Sequence, residues 1–256
     1  MKKLLFSSMI LGMSLFLGVG IHAQNIQSDR PGIGDGASTL EQKSFQLETG
    51  FEMAQFQPGK NEAFNSTSLP LVLLRYGISD WAELRLIQSY QFTDRPNLTG
   101  NYKLNGFSNI SIGTKLKLSD NSSKGVQTAV LLEVVAPTGS ADVAADKFLI
   151  SLRYLHSWDF AAQWNLGSNI GTYWAEEQDL SLTYSFALGY AISESWSVFV
   201  EPFGAFFLMN EFNIALDGGV TYLLNNTMQV DFSAGKGINS DYYFFGLGFS
   251  WLIGKI

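Results

Sequence analysis

The chain has 256 residues, a formal net charge of −7 at pH 7 and no cysteine. Without cysteine it forms no disulfide, thiolate metal site or cysteine nucleophile, and it cannot be a lipoprotein. Its acidic balance argues against nucleic-acid binding, because that function needs basic side chains that neutralise phosphates.

The first predicted element is a secretory signal over residues 1–23. Lys2 and Lys3 precede an uncharged apolar run from Leu4 to about Gly20, and the small residue Ala23 stands before Gln24. We therefore predict export and a mature chain that begins at Gln24, with a retained membrane anchor as the alternative. Removal of this signal takes away two lysines and no acids, so the formal charge becomes −9.

Residues 24–43 form the second element, a polar and turn-rich segment. Asp29-Arg30-Pro31 is followed by glycines at 32, 34 and 36. These glycines do not predict a nucleotide phosphate loop, because no strand precedes them, no helical pattern follows and no Gly-Lys-Ser/Thr is present.

The remaining chain, residues 44–256, alternates between apolar and polar positions. From Phe45 to Met53 the odd positions are mainly apolar and the even positions are glycine or polar. This period of two predicts β-strands, and after the signal no run of about eighteen apolar residues predicts a membrane helix. Twelve strands are predicted, at residues 45–53, 69–77, 81–90, 110–118, 126–134, 148–154, 164–171, 180–190, 197–208, 214–222, 228–233 and 243–251.

The apolar faces of these strands are rich in Tyr, Trp and Phe, while the other faces mix Gly, Ala and Ser with isolated charges. A β-sandwich also alternates, but its apolar face is the inner one. Short connections such as 77–80 and 192–195 alternate with longer ones such as 91–105 and 137–147. We therefore predict an all-β fold, a transmembrane antiparallel up-and-down β-barrel of about 12 strands, with the N-terminus on the periplasmic side of a bacterial outer membrane.

Several short stretches in chain order resemble the outer-membrane protein family named for a MetA pathway of phenol degradation, a group of presumed small-solute transporters. The resembling stretches are residues 28–32, 45–50, 74–80, 83–85, 137–140, 199–204 and 245–251. The resemblance implies a single barrel and the uptake of hydrophobic or aromatic compounds.

If the apolar face meets lipid, the opposite face lines the lumen. The lumen-lining candidates are Glu48, Glu52, Arg75, Glu83, Arg85, Lys115, Lys117, Glu133, Arg153, Phe199, Glu201, Phe203, Asp217 and Asp231. Charges of both signs occur, so the lumen is not a simple filter of one sign. Either the charges pair and hold a narrow barrel together, or some of them line a solute path.

Two contacts follow from the strand positions. A turn centred on Ser79 places Arg75 opposite Glu83, within reach of an ion pair. The segment 24–43 is expected to enter the periplasmic mouth, where Arg30 meets an inward carboxylate such as Glu48. Parity also turns Leu69, Leu71 and Leu73 inward, which favours an oily or aromatic solute, although plain packing of the lumen explains them equally well.

An outer-membrane lipid-modifying enzyme is the less favoured alternative. His156 is the one histidine left after signal removal, and a turn centred near Ala161 would place Leu166 opposite it rather than a serine. No nucleophile is then within reach of this base, and no cluster has metal-ligand spacing. We predict no catalytic residue, metal or cofactor.

The sequence therefore favours an outer-membrane channel or transporter for small, hydrophobic or aromatic solutes. A structural or adhesive barrel is the other alternative. The expected partners are outer-membrane lipid and lipopolysaccharide, the barrel-assembly machinery during insertion and a small-molecule solute, with no nucleic acid.

Overall fold

A computed structural model describes residues 26, 28–56, 63–97, 100–175, 180–207 and 211–255. The predicted signal, residues 1–23, lies outside the described residues and stays a prediction. The described chain is almost entirely β-structure, with one short 3-10 helix at Ser122–Lys124. In the described part of the chain, no helix is both long and apolar enough to cross a membrane.

Within the described ranges, thirteen strand segments form one closed antiparallel sheet. They are β1 Ser44–Phe56, β2 Phe64–Ser79, β3 Ala82–Asn97, β4 Gly100–Phe107, β5 Ile110–Asn121, β6 Val126–Ala136, β7 Leu149–Ala161, β8 Trp164–Ala175, β9 Ser181–Ala191, β10 Trp196–Phe207, β11 Glu211–Asn225, β12 Met228–Gly237 and β13 Tyr242–Lys255. Each strand pairs with its neighbours in the ring, and β1 pairs with β13 to close it. Closure joins the first and last strands, as a sheet in hydrocarbon requires. Among the described residues, β4 is paired on one side only, with β3.

The twelve-strand prediction is confirmed, because β4 and β5 share one position in the ring. Both pair with β3: β4 with its second half and β5 with its first half. The prediction of a long loop at residues 91–105 is wrong in part, since β3 continues to Asn97 and forms a hairpin with β4. Residues 91–105 are mostly polar, so their composition resembles that of a loop.

The alternation of the two faces is confirmed on β9. Leu182 is 48% exposed and Phe186 is 40% exposed on the outer face, whereas Ser185 on the inner face is 4% exposed. Near the short turns, aromatic rings on the outer face contact one another across strands, with ring centroids 4.6 Å apart for Trp164 and Tyr190 and 4.6 Å apart for Trp196 and Tyr222. Such aromatic girdles mark the boundary of the apolar band in outer-membrane barrels.

One inward assignment is wrong. Leu69 is 51% exposed, and the pairing of β2 shifts between Ser68 and Leu71 on its β3 side. One extra residue on β2 forms a bulge that interrupts the period of two. Leu71 and Leu73 are half-buried, so the apolar inner ladder of β2 is shorter than the sequence pattern predicts.

Candidate functional site

The N-terminal segment lies inside the barrel, deeper than the mouth where the sequence analysis placed it. Its Ile26, Ala37 and Leu40 side chains are buried, and Ala37 packs with Leu131 and Leu155 of the inner wall. The Leu40 N–H donates to Glu83 Oε2 at 2.9 Å. The segment then leaves the lumen at the end of the barrel with the short turns, where the Lys43 N–H donates to Gly77 O at 2.8 Å.

Asp29 of the segment is held by three cations from the wall. Lys115 Nζ lies 2.9 Å from Oδ1, Arg75 Nη1 lies 3.4 Å from Oδ2, and Arg85 also donates to Oδ2. Burial alone would raise the pKa of Asp29, but the charges of Arg75, Lys115 and Arg85 outweigh burial and hold that pKa well below its usual range. Asp29 therefore stays ionised at neutral pH, and this attachment of the segment persists.

The predicted pairing of Arg75 with Glu83 is present, although the predicted register is wrong. Arg75 Nε and Nη2 donate to the two oxygens of Glu83 at 2.9 and 3.0 Å. The residue opposite Glu83 is Gly77, and Arg75 lies opposite Arg85. The hairpin is centred on Asp80 rather than Ser79, which shifts the register by two residues. The long guanidinium side chain of Arg75 therefore reaches Glu83 diagonally along the same face.

Arg30 binds a carboxylate other than the expected Glu48. Its Nη2 lies 3.1 Å from Asp231 Oδ1 on β12. Glu48 instead accepts from Arg75 Nη1 at 3.0 Å and from Ser28 Oγ at 2.9 Å. The segment thus connects separate parts of the wall, because Asp29 is bound to strands β2, β3 and β5 while Arg30 is bound to β12.

A second attachment is made by Asp35 in the middle of the barrel. Arg85 Nη2 lies 2.8 Å from Asp35 Oδ1, and Arg153 Nη1 binds Oδ2. The backbone of Asp35 pairs with the Asn169 side chain, which accepts from the Asp35 N–H at 2.8 Å and donates to its carbonyl at 2.9 Å. Both the charge and the backbone of this residue are therefore bound by the wall.

The turn between these two attachments packs closely against the wall at two glycines. The N–H groups of Ile33 and Gly34 donate to the Glu201 carboxylate at 2.8 and 2.9 Å. A Cβ on Gly32 would lie 2.6 Å from Glu201 Oε2, and one on Gly34 would lie 2.5 Å from Ser185 Oγ. A side chain at either position would therefore displace the Glu201 carboxylate or the Ser185 hydroxyl from the turn.

Two cavities lie on either side of this turn. The turn-end cavity, about 870 Å³, extends to the short turns and is lined by Asp35, Ser157, Asn165, Gly189 and Phe199 among others. The loop-end cavity, about 400 Å³, lies towards the longer connections and is lined by Ile33, Val135, Arg153, Tyr173 and Phe203 among others. Asn169 and Ser185 border both cavities. The Ile33–Asp35 stretch is therefore the partition between the two spaces.

The structure places the lumen candidates on the inner face and brings most of them to the segment. Glu48, Arg75, Glu83, Arg85 and Lys115 form one buried cluster around Asp29. The members that contact the segment elsewhere, or line a cavity, are Glu133, Arg153, Phe199, Glu201, Phe203 and Asp231.

Among the described residues, three candidates make no hydrogen bond or salt bridge to the segment. Glu52 is half-buried, and Lys117 lies near the short turns, 3.9 Å from Asp120, with its side chain 27% exposed. Asp217 is 3% exposed, and within the described residues its carboxylate oxygens have no hydrogen-bond donor.

Sequence reasoning missed Asp29, Asp35 and Asn169 as site residues. One signal was available, because strands β2 to β7 turn five cations inward, at residues 75, 85, 115, 117 and 153, against two acids at 83 and 133. Buried cations require partners, so carboxylates from outside these strands were needed. Nothing in the sequence assigned them to the N-terminal segment.

The expectation that no serine faces His156 is wrong. Ser168 is the register partner of His156, and Leu166 lies opposite Trp158. The tight turn between Ala161 and Trp164 moves the register by two residues. Among the described residues the structure gives no hydrogen bond between the imidazole and the Ser168 hydroxyl, and it shows no group of three or more residues suited to a metal ion.

A family model with the description "Putative MetA-pathway of phenol degradation" matches residues 28–253. No curated protein matches the chain. A crystal structure of the COG4313 outer membrane channel from Pseudomonas putida F1 has a TM-score of 0.74 at 11% identity, covering 88% of this chain and 99% of that chain.

More distant barrels share the fold. The KdgM porin in complex with disordered oligogalacturonate has a TM-score of 0.55 at 9% identity, covering 80% of this chain and 98% of that chain. The translocator domain of the autotransporter NalP from Neisseria meningitidis has a TM-score of 0.56 at 9% identity, covering 81% and 88%. At these identities the likeness concerns the fold of an outer-membrane barrel.

Proposed function

The chain belongs to the "Putative MetA-pathway of phenol degradation" family of barrels, and from this we propose that it is an outer-membrane channel for small hydrophobic or aromatic solutes. The solute passes through the lumen, and the N-terminus and short turns lie on the periplasmic side. The observation that carries the proposal is the pair of cavities, of about 870 and 400 Å³, in line along the barrel. A barrel that served only as a scaffold would have no need of such space in its lumen.

Other features of the lumen support this proposal. Phe199 borders the turn-end cavity and Phe203 the loop-end cavity, and the ring of Phe203 lies 6.5 Å from that of Phe244. Aromatic side chains bind apolar ring compounds through contact area and ring geometry. The partition is made of the N-terminal segment rather than of strands, so it can rearrange without opening the barrel wall.

Liposome swelling tests passage through the lumen. Vesicles that contain the full chain should swell in isotonic 4-hydroxybenzyl alcohol faster than protein-free vesicles, whereas a structural or adhesive barrel would give the protein-free rate. Gly189→Trp should bring the rate close to the protein-free value, because Gly189 lines the turn-end cavity and a Cβ there meets its nearest atoms at 3.8 Å, an ordinary contact.

The matched control is Leu188→Trp on the same strand, since Leu188 is 36% exposed on the outer face. This variant should swell like the parent. Equal slowing by both variants would contradict a path through the lumen.

Protease accessibility tests the orientation. A cleavage site inserted in the loop at residues 141–146 should be cut on intact cells, and one inserted at Ser122–Lys124 should be protected until the outer membrane is opened. Short turns face the periplasm in outer-membrane barrels. Cutting at Ser122–Lys124 with protection of the loop would mean that the barrel has the opposite orientation.

We also propose that the chain is not an enzyme that modifies lipids. Phospholipid turnover by the purified chain should not exceed that of His156→Ala. A loss of turnover on this substitution would instead support a hydrolytic role for the His156 and Ser168 pair on the lipid-facing surface.

A further inference from the structure

The loop-end cavity combines an apolar wall with a charged floor. Val135, Leu149, Tyr173 and Phe203 line it, and Arg153 lines it as well. A volume of about 400 Å³ lies within the range of small-molecule sites, which are mostly apolar with a few polar groups that orient the ligand. The cavity therefore fits a small molecule with one ring and one polar end.

Arg153 is the cation that this polar end would meet. Its side chain is 23% exposed, and it binds Glu133 and Asp35. Its buried Nε has no hydrogen-bond partner among the described residues. Because a guanidinium has five N–H donors in a planar fork, it recognises carboxylates with two parallel hydrogen bonds.

Asp35 is the partner of Arg153 that another carboxylate can replace. It belongs to the N-terminal segment, whereas Glu133 is fixed on β6. If Asp35 released Arg153, its other oxygen would remain 2.8 Å from Arg85 Nη2, and no carboxylate would be left buried without a cation. Exchange of one carboxylate for another conserves the charge around Arg153, so it avoids the cost of an unpaired buried ion.

We propose that the loop-end cavity is a binding site for a small aromatic carboxylate that competes with Asp35 for Arg153. The carboxylate binds the Arg153 guanidinium, and the ring packs on Phe203 and Tyr173. Binding removes one contact of the partition at the point where Asn169 and Ser185 border both cavities. The inference deepens the proposed channel function, since it names the solute class and its recognition site.

Equilibrium dialysis of the purified full chain in detergent tests the site with benzoate as the probe. Benzoate should bind at least about tenfold more tightly than benzyl alcohol, which has the same ring and no charge. Asp35→Asn should tighten benzoate binding by about tenfold, because the competing charge is removed while the cation remains. Arg153→Gln should abolish the preference for benzoate.

The matched control is Lys236→Gln, which removes one positive charge from an exposed position, opposite Tyr243. It should bind benzoate like the parent. Equal affinity for the two probes, or no gain with Asp35→Asn, would overturn the proposal, and both measurements stand even if Arg153→Gln fails to fold. Swelling at the protein-free rate together with selective benzoate binding would refute the channel function while leaving the site intact.

Discussion

Replacing Arg75 with alanine is expected to destabilise the protein by about 3–5 kcal/mol, the cost of removing one partner from a buried ion pair. Arg75 is fully buried and contacts three carboxylates, those of Asp29, Glu48 and Glu83. Lys115 and Arg85 would remain near Glu83, at 3.8 and 3.6 Å, but these distances are too long for strong hydrogen bonds. The loss is therefore larger than that of an exposed ion pair.

A double-mutant cycle with Arg75→Ala and Glu83→Ala, measured by urea unfolding in detergent, isolates the pair. The double variant should be more stable than the sum of the two single losses predicts, because each single variant leaves the other charge buried without its main partner. Additive losses would mean that the bidentate contact between Arg75 and Glu83 contributes nothing to the free energy of unfolding.

The matched control is the Lys117 and Asp120 pair at the turn end of the same barrel. Its atoms are 3.9 Å apart and its side chains are 27% and 38% exposed. Exposed pairs of this kind contribute about 0–1 kcal/mol. The losses of unfolding free energy caused by alanine substitutions at these two positions should be small and nearly additive.

The second large effect concerns the two faces of β9. Phe186→Arg should cost about 2–4 kcal/mol relative to Phe186→Ala, because the outer face of this strand lies in hydrocarbon. Ala187→Arg should cost much less, since Ala187 faces the turn-end cavity, where the guanidinium can stay hydrated. Urea unfolding in lipid vesicles measures both losses.

Ala187 is a better inward comparison than Ser185. Ser185 is 4% exposed, and its hydroxyl would lie 2.5 Å from a Cβ on Gly34, so an arginine there collides with the N-terminal segment. Equal costs at positions 186 and 187 would contradict the assignment of lipid and lumen faces.

The sequence by itself determined the barrel and its faces. The period of two, together with aromatic outer positions, placed Arg75, Glu83, Lys115 and Glu201 on the inner face, because successive side chains of a strand point to opposite sides. The count of alternating segments determined the number of strands in the ring. Closure followed because an exported sheet with one apolar outer face must close in lipid.

Only the tertiary structure decided the contacts inside the lumen. A turn centre that moves by one residue shifts the register by two residues without changing the parity, and so Gly77 lies opposite Glu83 and Ser168 opposite His156. The path of the N-terminal segment has no periodic signal at all. Asp29 and Asp35 could reach any cation of the inner wall, and the choice among those cations depends on the shape of the closed barrel, which brings β2, β5, β7 and β12 around one short stretch of chain.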